Sequence, residues 1–285
     1  MKNILRNISI ILASAVAMPM FSQGILVYKK DGKVVDFPSA EIDSIVTYEK
    51  ALVNTDYTVN GVTFTMVAVE GGTFMMGATQ EQAGEAQDNE KPVHEVTLSN
   101  YYIGETEVTQ ELWNAVMGSN PSHNPSAVDY PVERVTWEDC RIFVAKLNEL
   151  TGENFAMPTE AQWEFAARGG NKSKGYKYSG GNDVGEVAWC YDNADFVTHA
   201  VKGKKANELG IYDMSGNVYE WCADWYGQYT ESSQVDPEGP ASGSGRVFRG
   251  GSAQIYNDRD RVSFRYYMLP DQRNFFIGFR LAKAE

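Results

Sequence analysis

Short apolar runs rich in β-branched and aromatic residues, bounded by turn residues, recur near the start of the chain, and around Val62-Thr63-Phe64 apolar and polar positions alternate. Ile25-Leu26-Val27-Tyr28 and Val34-Val35-Asp36-Phe37 flank Lys30-Asp31-Gly32-Lys33, and Asp-Gly between β-rich runs predicts a hairpin. Pro38 ends the second run, Ile42 to Tyr48 reads as a third strand, and residues 49–56 read as a linker. A second hairpin is expected from Tyr57-Thr58-Val59 and Val62-Thr63-Phe64 around Asn60-Gly61. Its strand continues through Met66 to Val69, and Thr73-Phe74-Met75-Met76 follows Gly71-Gly72. Residues 78–92 are acidic and polar and read as a surface loop.

The period then lengthens to that of a helix in three places. Thr109 precedes Gln110 to Met117, with Gly118 as the stop. Thr136-Trp137-Glu138-Asp139 starts like a capping box, places Cys140, Phe143, Val144, Leu147 and Leu150 on one face, and ends at Gly152. Thr159-Glu160-Ala161-Gln162 is a second capping box, followed by Trp163, Phe165 and Ala166 and stopped by Gly169-Gly170. Beyond residue 170 no helical period is sustained, and short strands alternate with loops rich in Gly, Asn and aromatics. The fold class expected is α+β without βαβ alternation.

Composition narrows the class. With 285 residues, 43% hydrophobic and 22% charged, the chain can bury a sizeable core and is neither disordered nor a coiled coil. Its first 23 residues stand apart: Lys2 and Arg6 precede an apolar run from Ile8 to Met20, then Phe21-Ser22-Gln23. That is the layout of a secretory signal peptide, and the run is short for a membrane span. The expected organisation is a signal peptide over 1–23, a small β-hairpin leader and linker over 24–54, and the main domain over 55–285. The expected location is periplasmic, cell-surface or secreted, with no membrane span after signal removal. A formal net charge of −13, more negative still once Lys2 and Arg6 are removed, argues against nucleic acid or anionic lipid as partner.

Cys140, Cys190 and Cys222 are the three cysteines. Oxidising surroundings allow one disulfide and one free thiol, and their apolar settings equally allow three buried free thiols. His94, His123 and His199 lack metal-ligand spacing. No P-loop, dinucleotide fingerprint or G-x-S-x-G is present.

Seven blocks in order carry a resemblance. They are Met66-Val67 through Gly71-Gly72-Thr73-Phe74-Met75-Met76-Gly77; Tyr102-Ile103-Gly104 with Glu107-Val108-Thr109; Pro131-Val132 with Val135-Thr136-Trp137-Glu138-Asp139; and Met157-Pro158-Thr159 through Arg168-Gly169-Gly170. Asn207 through Asp213-Met214-Ser215-Gly216-Asn217-Val218-Tyr219-Glu220-Trp221, Arg249-Gly250-Gly251-Ser252 and Gly278-Phe279-Arg280-Leu281 complete the set. The chain resembles the formylglycine-generating enzyme, or sulfatase-modifying factor, family. The resemblance implies one irregular domain with a C-type-lectin-like core. The small leader resembles segments ahead of exported proteins of Bacteroidetes-type bacteria.

The family's founding activity oxidises a sulfatase cysteine to formylglycine with dioxygen and copper held by two thiolates. Those cysteines follow the Arg-Gly-Gly-Ser block in the family, whereas no cysteine follows Cys222 here. Soft Cu(I) wants thiolate ligands, so neither copper nor formylglycine formation by that route is expected, and no catalytic residue is assigned. Three scattered histidines do not supply the iron site of a second branch of the family. The resemblance also implies a structural Ca²⁺ on Asp213, Glu220 and the carbonyls of Gly216 and Val218, a hard oxygen donor set. Asn193 is the one remnant of a second family calcium site.

Between Ser252 and Gly278 the aromatics Tyr256, Phe264, Tyr266, Tyr267, Phe275 and Phe276 interleave with Arg259, Arg261, Arg265, Arg273 and Asn274. Such a mixture suits a recognition surface, and equally a core with internal ion pairs around Arg261, Phe264 and Arg265. The candidate ligand-binding set is Ser252, Tyr256, Asn257, Arg259, Tyr266, Tyr267, Arg273 and Phe275. The segment also resembles the variable face of display domains diversified by retroelements. The expected function is an exported, non-catalytic binding or scaffold module for a protein, peptide or glycan. A divergent sulfatase-modifying oxidase and a structural part of a surface or secretion assembly are the alternatives.

Overall fold

The computed structural model describes residues 25–28, 34–37, 52–82, 84–123 and 128–285. The expected signal peptide and third leader strand lie outside the described residues. The chain divides into two compact units, Met1–Ala51 and Leu52–Glu285. In the first, β1 (Ile25–Tyr28) and β2 (Val34–Phe37) pair antiparallel with Ile25 opposite Phe37, as the Asp-Gly turn predicts.

The second unit is mixed α+β. β3 (Thr55–Val59) and β4 (Val62–Val69) form the second expected hairpin. Both turn residues take left-handed φ, 48° at Asn60 and 86° at Gly61, which matches the strand twist. These strands join β7 (Tyr101–Gly104), β14 (Ala282–Ala284) and β8 (Phe155–Ala156) in a sheet of order β3-β4-β7-β14-β8. The C-terminus thus closes onto a strand nearly two hundred residues earlier. β5 (Gly72–Met76), β6 (His94–Leu98) and β10 (Gln234–Val235) make a small sheet. β9 (Tyr219–Trp225), β11 (Arg246–Arg249), β12 (Arg265–Met268) and β13 (Ile277–Phe279) make a four-stranded one in the order β12-β11-β9-β13.

The helices start where capping chemistry places them. α1 (Gln110–Met117) is capped by Thr109, whose hydroxyl accepts the Leu112 N–H, and ends on left-handed Gly118. α2 (Trp137–Thr151) carries a reciprocal capping box between Thr136 and Asp139 and ends on left-handed Gly152. α3 (Glu160–Ala167) has the same box between Thr159 and Gln162. A one-turn α4 (Val184–Val187) is the single α-helix described beyond residue 170.

Two apolar clusters result. α1 and α2 press Leu112, Trp113, Phe143 and Leu147 against Phe279 and the five-stranded sheet, with the Trp113 and Phe143 rings stacked 5.1 Å apart. α3 sits in the second cluster and buries almost every position, placing Trp163 and Phe165 among Val96, Tyr101, Ile211 and Val247. Each such large apolar side chain stabilises the fold by about 1.5–3 kcal/mol. Two local expectations are corrected. Leu150 is 51% exposed, because the α2 stripe leaves the core in its last turn. Residues 78–92 are not all surface: Gln82 and Glu90 are buried, since Glu90 is claimed by an arginine from far along the chain.

Candidate functional site

After Arg249-Gly250-Gly251-Ser252 the chain surfaces over residues 254–259 and turns inward over residues 260–265. Arg249, Arg261, Arg265 and Arg280 are all fully buried. A buried guanidinium is tolerated only when paired and hydrogen-bonded, and each one is. Arg249 meets Glu164 of α3. Arg261 Nη1 and Nη2 donate to Glu90 at 2.8 and 2.6 Å. Arg265 grips Glu160 through Nε and Nη2, both at 2.7 Å. Arg280 grips Glu220 through Nε and Nη2, both at 2.6 Å. Arg261, Phe264 and Arg265 therefore serve the core. Ser252 is buried as well and stands behind the surface rather than on it. Asp260, next to it, is buried with neither carboxylate oxygen hydrogen-bonded, and burial pushes its carboxyl well above the usual range.

The rest of the candidate set faces outward in two groups. Tyr266 and Tyr267 of edge strand β12 are exposed and stack at 5.4 Å, backed by Phe248 and Tyr226. Arg273 is tied to Asp139 at the start of α2, at 3.0 Å. Of the other group only Phe275 lines a cavity of about 600 Å³, which it shares with His123, Tyr130, Glu133, Phe196, Val197, Thr198, Gln254 and Phe276. Phe275 is 52% and Phe196 50% exposed. Tyr256 stacks on Tyr191, which in turn packs against Phe196. Asn257 and Arg259 form a short 3-10 turn after Tyr256. Sequence reasoning found Phe275 of this lining but not Glu133, His123 or Phe196. For Phe196 a signal existed: an apolar Phe-Val pair in an otherwise polar loop.

Of the four expected calcium ligands, the Asp213 and Glu220 carboxylates lie near enough for the Glu220 charge to act on Asp213. Asp213 and Asn217 take left-handed φ (58° and 57°), and Gly216 (82°) lies so close to the Trp189 backbone that a Cβ would collide with it. Val218 is buried. Asp213 Oδ2 accepts the Lys202 N–H at 2.8 Å. Glu220 Oε2 accepts from Arg280 Nε and, at 2.7 Å, from Trp163 Nε1, while Oε1 accepts only from Arg280 Nη2. A third carboxylate, Glu107, is buried with both oxygens lacking a hydrogen-bond partner. Burial and the charges of Asp213 and Glu220 push Glu107 well above its ordinary value, and burial pushes Asp213 up to about 6. Three buried carboxylates thus face one guanidinium, a deficit of positive charge among hard oxygen donors that suits a cation such as calcium. Glu107 opens onto a smaller cavity shared with Glu105, Asp129 and Lys202. Among the described residues, no three His, Cys, Asp or Glu side chains already stand in a ligating cluster.

All three cysteines are free and buried. Burial pushes the Cys140 and Cys222 thiols well above the usual range and raises that of Cys190. None is set up as a thiolate, the form that binds copper or attacks as a nucleophile. His94 packs on Tyr229 and His199 stacks on Trp189, so two of the three imidazoles have packing roles.

Residues 53–285 match the sulfatase-modifying factor enzyme 1-like domain. LppX of Paenibacillus barcinonensis, a protein named as a chaperone, is 37% identical over 236 residues, 65% of this chain and 77% of its own. The formylglycine-generating enzyme of Streptomyces coelicolor is 30% identical over 76% of this chain and 88% of its own. The chain spans 38% of the length of the serine/threonine-protein kinase pkn1 of Chlamydia caviae, at 32% identity over 77% of this chain. Among solved structures, Treponema denticola variable protein 1 aligns with a TM-score of 0.75 and 36% identity, over 82% of this chain and 99% of that one. The buried arginine frame, the mixed α+β topology and these matches agree: the chain belongs to the sulfatase-modifying factor enzyme 1-like domain family, and carries no cysteine after Cys222.

Proposed function

We propose that this protein is a non-catalytic binding module, working outside the cytoplasm, that holds a polypeptide or glycan on the face around Phe196 and Phe275. The observation that carries the reading is the cavity of about 600 Å³ walled by half-exposed aromatics. Exposed aromatic side chains beside a concavity lose solvated apolar area only when something covers them. A relative named as a chaperone is consistent with a polypeptide ligand.

A second reading, a divergent sulfatase-modifying oxidase, is favoured by the likeness to the Streptomyces enzyme. Against it stands the lack of any cysteine in the segment that follows Ser252. Incubating the purified protein with copper, dioxygen and a Cys-x-Pro-x-Arg peptide separates the two. Unchanged cysteine is expected, and formylglycine in the product would overturn the binding reading as the primary one. A peptide and glycan array probed with wild type and with Phe196→Ala/Phe275→Ala tests the face directly. Ligands captured by wild type should be lost by the variant; ligands kept by both would place the binding site elsewhere.

We also propose a structural Ca²⁺ on Asp213, Glu220 and the Gly216 and Val218 carbonyls, with Glu107 completing the negative charge. The ion would supply no redox chemistry. It would add to the order of a loop whose backbone already bonds to Glu105, Gly250 and Trp189.

A further inference from the structure

Glu133 is the one carboxylate lining the aromatic cavity. Its side chain is 3% exposed. Oε1 accepts the backbone N–H of His123, while Oε2 has no hydrogen-bond partner. A buried acceptor left unmatched costs on the order of 1–3 kcal/mol, more for a charged group. No cation among the described residues forms an ion pair or hydrogen bond with it, and Arg134 acts on it only through its charge. Arg134 is the adjacent residue, but its backbone takes a left-handed φ of 61° and its guanidinium lies 5.1 Å over the Phe275 ring. Burial accordingly lifts the Glu133 carboxyl to about 7, against the smaller opposing pull of the His123 N–H and Arg134.

The walls above this carboxylate are as particular as its base. Phe196 and Asp195 both take left-handed φ, 61° and 50°. An aromatic residue in that region is uncommon and costs on the order of 1 kcal/mol or more, so strain here accompanies a Phe196 ring held half out of the surface. Phe275 stands across the cavity with its edge against His123, at 5.4 Å between ring centroids. A site with an unmatched carboxylate oxygen at its base and phenyl rings around its mouth matches one kind of group: a cation at the end of an apolar stem.

We infer that this cavity is a subsite for a lysine or arginine side chain on a partner polypeptide, with Phe196 and Phe275 packing on the stem and Glu133 Oε2 accepting an N–H from the charged end. The inference rests on the binding-face reading and specifies its ligand. Charge supports the choice, since the protein is strongly acidic and draws basic partners. A glycan would match the phenyl walls but would leave a buried carboxylate without a counter-charge.

The test uses three acetylated and amidated alanine hexapeptides carrying one central lysine, arginine or norleucine, titrated into the full chain and followed by NMR chemical shifts. The lysine and arginine peptides should bind at least tenfold tighter than the norleucine peptide. Glu133→Gln, which keeps the acceptor for His123, should bring them down to the norleucine level without weakening the norleucine peptide. Phe275→Ala should weaken all three. Equal affinity for the three peptides, or no effect of Glu133→Gln, overturns the cation subsite; loss of binding in Phe275→Ala would then still uphold the face. No binding by any peptide also overturns the subsite, and the array decides the face separately. If Glu133→Gln fails to fold by circular dichroism, lysine against norleucine on the wild type decides alone.

Discussion

Residues 260–265 are all buried, whereas residues 266–276, which follow directly, are all partly or fully exposed. Both stretches carry arginines and aromatics. What separates them is the company each arginine finds. Arg261 and Arg265 reach carboxylates that are themselves buried, Glu90 and Glu160, at 171 and 105 residues' separation. Arg273 reaches Asp139 at the surface, where a pair contributes little. The inward stretch fixes the fold and the outward one is left to make contacts, so substitutions in the two should fail in different ways.

The largest effect is expected from Arg265→Ala, which takes from buried Glu160 its bidentate partner and leaves it Arg249 at 3.4 Å and the Tyr229 hydroxyl at 3.2 Å. A loss of about 3–5 kcal/mol is expected, read as a lower urea midpoint at unchanged m-value; a loss below about 1 kcal/mol would dissolve the contrast between the two stretches. Calcium comes next. At a hundredfold excess over its dissociation constant it should stabilise by about 2.7 kcal/mol, seen as a raised melting temperature that EDTA reverses and that Asp213→Ala abolishes. No shift with calcium would remove the ion from the account of the Asp213–Glu220 loop.

A smaller, pH-dependent effect belongs to Asp224. Burial and the nearby Glu160 charge push its carboxyl up to about 7. The unfolded chain releases that proton near pH 4 and the folded chain holds it until about 7. Its contribution to stability is therefore present below pH 4 and is lost as pH rises through 7. Asp224→Asn keeps an acceptor for the Glu160 N–H, now bound at 2.7 Å. The variant should gain stability relative to wild type between pH 4.5 and 8; a constant difference across that range would contradict the assignment. Least of all should Phe275→Ala disturb the fold, within about 0.5 kcal/mol for an exposed position, while it removes binding. A melting temperature that falls as far as for Arg265→Ala would make Phe275 part of the core instead.

Local chemistry made much of this fold legible in the sequence. Asn60-Gly61 and the boxes at Thr136 and Thr159 specify their turns and helix starts within a few residues, and the structure has them there. Long-range pairing was not legible. The acidic run around Glu90 looks solvated because nothing near it in sequence carries the Arg261 charge that buries it. The candidate face was half legible for the same reason. Phe275 lies in the segment flagged by its composition, but Glu133 precedes α2 and Phe196 lies in another loop. Only the fold brings these residues round one cavity.

The way the outward stretch is held has a consequence for how this surface can change. β12 is paired with β11 as far as Met268 at one end, and β13 runs beside β9 at the other. Between them, the main-chain ties to the body are few: Pro270 O accepts the Trp137 N–H and Asn274 O the Arg134 N–H, both at 3.0 Å. With both ends already brought together, even doubling the length of the intervening chain adds about 0.6 kcal/mol of closure entropy. Insertions and replacement between Leu269 and Phe275, beyond the β12 pairing and before the Phe276 tie to Tyr219, should therefore be tolerated as cheaply as in a surface linker, which makes this part of the molecule free to be rewritten while the rest stays as it is.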